Sequence, residues 1–186
     1  LYTNPDLIHC ALDTIATAQI GLAHHLEPFT ELSSEQPSEP VTYHHATMIR
    51  GRILIRNDSV IMMSPKMYRD SVAKFDERVL RELGSGGIHS CGKVEGHVPA
   101  FLELPSIRCL DLGQSEMNDI DRLYRLLQPR KIPLTRLKVA RDDLVTGQIM
   151  QRFPTGVSLL YEAESVRDAQ NVLGAYFQVS NSQCKG

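Results

Sequence analysis

A histidine and a cysteine two residues apart, His89 and Cys91, sit in GSGGIHSCGK (84–93), at the end of a short apolar run framed by glycines. On an extended segment, residues i and i+2 share a face, so imidazole and thiolate can converge on one centre. Both are preferred zinc ligands, and a catalytic zinc needs only three protein ligands beside an open position. Strong zinc motifs carry two such pairs, whereas this chain shows one. The pair therefore also fits a buried cysteine beside a hydrogen-bonded histidine at a turn. A Cys–His nucleophilic dyad is disfavoured, because two residues on one strand compete for space instead of pairing nucleophile with base.

A third ligand must come from elsewhere in the chain. Glu162 closes the last strand-like run and is the preferred candidate. Cys109 lies mid-strand and reads as core, while Cys184 sits in a polar tail and reads as a free thiol. Asp58 and Ser59 follow a strand and precede a helix start, where an acid can relay protons, anchor substrate or simply cap the loop. Asp111 and Glu116 flank a Gly-Gln-Ser loop in the same way. In Tyr43-His44-His45 the two histidines point to opposite sides of an extended chain, so at most one serves a site, and His45 is the choice. His24 and His25 diverge on a helix and read as solvated.

The elements that position these residues alternate. Asn4-Pro5-Asp6 starts a helix with a cap, a first-position proline and an acid, and Pro28 ends it. ELSSEQPSEPV (31–41) is a polar loop. A strand is centred on Ile53 to Ile55, and Ser64-Pro65 opens a helix that runs to Gly84. A short strand in GGIHSCG, a helix in VPAFLELP and a strand in SIRCLDLG follow. NDIDRLYRLLQ is a helix capped by Asn118, IPLTRLKV a strand, DDLVTGQIMQRF a helix and GVSLLYE a strand. Ser165 caps the last helix. Strand–helix alternation with short connections predicts a parallel α/β sheet, either a (β/α)8 barrel or an open doubly wound sheet. No G-x-G-x-x-G turn follows the first strand, so a dinucleotide site is unsupported. In either architecture function gathers at the C-terminal ends of strands, and Asn57-Asp58-Ser59, His89-Ser90-Cys91, Asp111, Lys138 to Arg141 and Tyr161-Glu162 all fall there.

Bulk composition agrees with an ordinary globular domain. The 186 residues are 42% hydrophobic and 23% charged with a net charge of −2, which suffices for a single domain over 1–186 with a sizeable core. There is no basic surplus for nucleic acid and no apolar run near the ~20 residues of a membrane span. The first residues lack a signal-peptide pattern, and the four scattered cysteines read as reduced thiols. A cytoplasmic protein is expected.

The run RILIRNDSVIMMSPKMYRDSVAKFDERVLRELGSGGIHSCGKVEGH (52–97) resembles the uroporphyrinogen decarboxylase superfamily, which includes the cobalamin-dependent methyltransferases. Its members with an R-D-D-S…L-S-P-E-M…P-Y-D…G-G-G-x-I-H-x-C-G pattern are the nearest likeness. The family fold is a (β/α)8 TIM-type barrel of about twice this length, so the resemblance implies about the last five β/α units. Five strands cannot close a barrel, which implies a separate chain carrying the N-terminal barrel portion, self-association, or a chain that records part of an enzyme. In the methyltransferase branch an H-x-C pair holds zinc with a later ligand, usually cysteine. His89 and Cys91 match the pair, and Tyr161-Glu162 stands where that later ligand is sought. Arg56, Asp58 and Ser59 match the R-D-D-S positions, with Asn57 in place of the first acid.

The resemblance thus implies zinc-assisted methyl transfer from a corrinoid, free or on a partner protein, to a thiol. His89, Cys91 and Glu162 would be ligands, Asp58 and His45 would line the cavity, and Ser59, Arg56, Asp111 and Tyr161 would contact substrate. A metal-free porphyrinogen decarboxylase is the alternative, converting uroporphyrinogen III to coproporphyrinogen III. A non-catalytic half-barrel that requires a partner chain is a further one.

Overall fold

The computed structural model describes residues 3–29, 41–45 and 47–183. Residues 31–40 of the expected polar loop and Cys184 lie outside the described residues, and Val41 opens a strand instead. The architecture is mixed α/β. Five strands, β3 (Ile53–Arg56), β4 (Gly86–Ser90), β5 (Ile107–Leu112), β6 (Leu134–Lys138) and β7 (Val157–Leu160), form one parallel sheet in sequential order without reversal.

Eight α-helices are described: α1 (Pro5–Leu26), α2 (Pro65–Ser71), α3 (Ala73–Glu82), α4 (Val98–Phe101), α5 (Ile120–Leu127), α6 (Arg141–Val145), α7 (Gln148–Arg152) and α8 (Val166–Gln183). Local chemistry explains the starts. Leu7 donates its N–H to the Asn4 side chain at 3.1 Å, Met67 to Ser64 Oγ at 3.1 Å and Arg122 to Asp119 Oδ1 at 2.9 Å, each pairing an otherwise orphaned amide. Asp119 thus caps α5 in place of Asn118. The Asn118 side chain instead accepts from Val94 and Glu95 N–H and donates to the Gly92 carbonyl, bracing the loop after β4. The helix expected from Ser64 to Gly84 divides at Val72, the one expected over 98–105 is a single turn, and the one expected over 142–153 divides at Gly147.

Period-2 alternation separates the two faces of the sheet. Ile53, Ile55, Ile88, Leu110, Leu112, Leu134 and Leu137 face the helices and join Tyr68, Leu80, Phe101, Leu123 and Leu127 in the main core. Burying each such side chain stabilises by about 1.5–3 kcal/mol before entropy is counted. The other face carries Gly87, His89, Cys109, Asp111 and Thr135, and an antiparallel hairpin of β1 (Val41–His44) and β2 (Thr47–Arg50) lies against it. The hairpin inserts Ile49, fully buried, against Gly87. A Cβ on Gly87 would lie 2.9 Å from Ile49 Cγ2 and 3.2 Å from Cys109 Cβ, so the missing side chain is what seats the hairpin.

Candidate functional site

At the C-terminal ends of β3, β4 and β5 the inward residues converge. Asp111, whose side chain is 0% exposed, is the centre. Its Oδ2 lies 2.6 Å from His89 Nδ1 and 2.8 Å from His44 Nδ1, and Thr135 Oγ1 donates to its Oδ1 at 2.7 Å. Desolvation pushes the Asp111 carboxyl up, but the hydrogen bonds from His89, Thr135 and His44 outweigh it and hold the group below its ordinary range. An ionised carboxylate can only accept, so both imidazoles donate to it from Nδ1, which leaves Nε2 of each ring turned away from Asp111.

His89 Nε2 faces Cys91 Sγ at 3.5 Å and Asp58 Oδ1 at 3.4 Å. Asp58 is fixed there because its Oδ1 accepts the Cys91 backbone N–H at 2.8 Å. Nitrogen, sulfur and carboxylate oxygen thus lie within 4.8 Å of one another. The space behind them exists because residue 113 is glycine: a Cβ there would sit 2.4 Å from Cys91 Sγ and 3.2 Å from His89 Cε1.

The donor set fits zinc. One imidazole, one thiol and one carboxylate make a three-ligand site, and His89 has its other nitrogen on Asp111, the buried-carboxylate arrangement that orients a metal-binding histidine. Desolvation, reinforced by the Asp58 carboxylate, raises the Cys91 thiol above its ordinary value. Cys91, His89 and Asp111 also line up as thiol, imidazole and carboxylate, but Asp58 opposes a free thiolate at that place. A cation between Asp58 and Cys91 reverses that opposition.

Other expected residues sort around this centre. His44, not its neighbour His45, reaches Asp111; His45 is exposed with its ring centroid 4.2 Å from that of His44. A positive φ of 45° at His45 turns the chain there. Glu162 stands apart: Lys138 Nζ holds its carboxylate at 2.6 Å on the surface, and Asp58 takes the third-donor place. Tyr161 donates its hydroxyl to Asp168 at 2.7 Å, away from Asp111. Ser59 is exposed, and Arg56 at the exposed end of β3 acts on Asp58 and Cys91 through its charge. Cys109 is fully buried, with Sγ 3.8 Å from Thr135 Oγ1.

The chain matches no protein-family model, no curated protein and no solved structure.

Two residues escaped sequence reasoning. Thr135 lies in a strand as an ordinary β-former, with nothing to mark its hydroxyl. Arg136 should point to the helix side by alternation, yet its Nη1 lies 4.0 Å from Asp111 Oδ2. The β6–β7 register shifts between Leu134 and Leu137, and Arg136 adopts φ 62°. This bulge turns a second consecutive side chain inward, at a backbone strain of about 1–3 kcal/mol.

Proposed function

We propose that the chain is a zinc-assisted methyltransferase acting on a thiol, its five β/α units forming part of a barrel wall of the uroporphyrinogen decarboxylase type and working in the cytoplasm. The observation that carries the reading is the convergence of His89 Nε2, Cys91 Sγ and Asp58 Oδ1, with His89 held from behind by Asp111. Zinc, when bound, would keep a thiol substrate as thiolate and so make it the nucleophile towards a corrinoid-borne methyl group.

The chain's residues do the remaining work. Asp111 fixes the tautomer and tilt of His89. Asp58 and Cys91 add negative donor charge, and Gly113 leaves Cys91 room. Arg56 and Arg136 bring positive charge to the rim and favour an anionic reactant. His44 shares the Asp111 carboxylate with His89 and so helps to hold that buried acid in place behind the ligand. No helix of the described residues is long and apolar enough to cross a membrane.

The test is demethylation of methylcobalamin by small thiols with zinc-loaded protein, followed by the corrinoid absorbance. Methyl transfer that disappears in Cys91→Ser is the expected result. No transfer to any thiol, with uroporphyrinogen converted by metal-free protein, would overturn it in favour of the decarboxylase.

A further inference from the structure

Asn57 stands at the N-cap position of the 3-10 turn Asp58–Met62, yet its side chain makes no capping bond there. Asparagine at that position ordinarily turns its side chain back onto the following amides. Here Nδ2 donates instead to Asp76 Oδ2 at 2.8 Å, on α3. Tyr68, fully buried on α2, donates its hydroxyl to the same oxygen at 2.8 Å. The Asn57 backbone is held as well. Its N–H donates to the His89 carbonyl at 2.9 Å, and its carbonyl accepts from Val60 N–H and Ser90 Oγ, both at 3.3 Å. The next residue is Asp58, whose Oδ1 accepts the Cys91 N–H.

We propose that Asp76 is a positioning residue for the site, holding Asn57 from the helix layer and so setting the Asp58 carboxylate against Cys91 and His89. The role of Asp58 as a metal donor rests on the reading above; its placement by Asp76 does not. Three features single Asp76 out from an ordinary core acid. It sits beneath the sheet's helix face, yet both hydrogen bonds to its carboxylate come from outside its own helix. Desolvation raises it to about 6 against the pull of those two bonds, so the fold keeps an unfavourable group at that place. Its only link to the polar face of the sheet among the hydrogen bonds described runs through the residue before Asp58.

The experiment is amide hydrogen exchange at Cys91, read by NMR on the whole metal-free chain. Asp76→Leu removes the acceptor, and Asn57→Ala breaks the same link without touching α3. Asp76→Asn keeps one oxygen able to accept both bonds. Loss of the Asp58 contact should lower Cys91 protection about tenfold or more in Asp76→Leu and in Asn57→Ala, with near wild-type protection in Asp76→Asn. Unchanged Cys91 protection in a folded Asn57→Ala chain overturns the proposal, even if Asp76→Leu lowers the melting temperature or fails to fold. Cobalt(II) titration of the wild type reports separately on the metal reading: absence of a thiolate–cobalt absorption band counts against that reading, while the exchange result still decides the role of Asp76.

Discussion

The two ends of the parallel sheet carry polar residues at equivalent places and treat them differently. At the mouth of β3, β4 and β5, Asp58, His89, Cys91 and Asp111 share partners, with His89 and Asp111 almost fully buried and Asp58 at the open rim. At the mouth of β6 and β7, Lys138 pairs with Glu162 and Tyr161 with Asp168 in contacts close to solvent. Strand position is the same. The difference lies in what stands opposite: the β1–β2 hairpin covers β4 and β5 and contributes His44, whereas the Lys138–Glu162 pair satisfies itself. A polar strand end therefore becomes a candidate site only where a further element removes water from it and supplies a second partner.

That contrast can be broken most severely at Asp111. Asp111→Ala leaves His44, His89 and Thr135 without their shared acceptor, and should lose about 3–5 kcal/mol of folding stability in urea unfolding. Gly113→Ala should lose about 1–3 kcal/mol, because the new Cβ forces Cys91 or the loop aside; cobalt(II) affinity should fall with it. The acids under the site and on its floor respond to pH with opposite sign. Asp111 is held below its ordinary value, so its contribution is present above the unfolded carboxyl range and lost as pH falls through the folded value. Asp76 is raised to about 6, so its contribution is present in acid and lost as pH rises through 6. Asp76→Asn should accordingly gain about 2 kcal/mol over wild type near neutral pH and converge with it near pH ~4. At the other mouth, Glu162→Gln should change stability by less than about 0.5 kcal/mol, since an exposed ion pair contributes little.

How much of this was written in the sequence follows from the range of each signal. The five strands and the capped starts of α1, α2 and α8 are set by neighbouring residues, and alternation, an Asn-Pro or Ser-Pro start or the lone Ser165 cap displays them. His89 and Cys91 were visible as a pair for the same reason, since i and i+2 on a strand need no tertiary knowledge. The hairpin was hidden, because VTYHHATMIR carries no Asn-Gly or Asp-Gly turn and its burial depends on Gly87, 38 positions after Ile49. That His44 and not His45 reaches Asp111 was hidden on the same ground: adjacent histidines give no sign of which faces Asp111 until the hairpin docks. Asp58 and Glu162 both end strands, and only the Cys91 N–H and the Lys138 ammonium show which carboxylate is held at the site. Arg136 lay beyond pattern reading altogether, because a bulge cancels the alternation on which the pattern depends.

The central claim is that His89, Cys91 and Asp58 together hold one zinc. Metal analysis of purified wild type, Cys91→Ser, Asp58→Ala and Glu162→Gln, each shown to be folded, tests it directly. One zinc per chain in wild type and Glu162→Gln, with loss in Cys91→Ser and Asp58→Ala, is the predicted result. A wild-type chain that takes up no zinc, or a zinc lost on changing Glu162 and kept on changing Asp58, would contradict it.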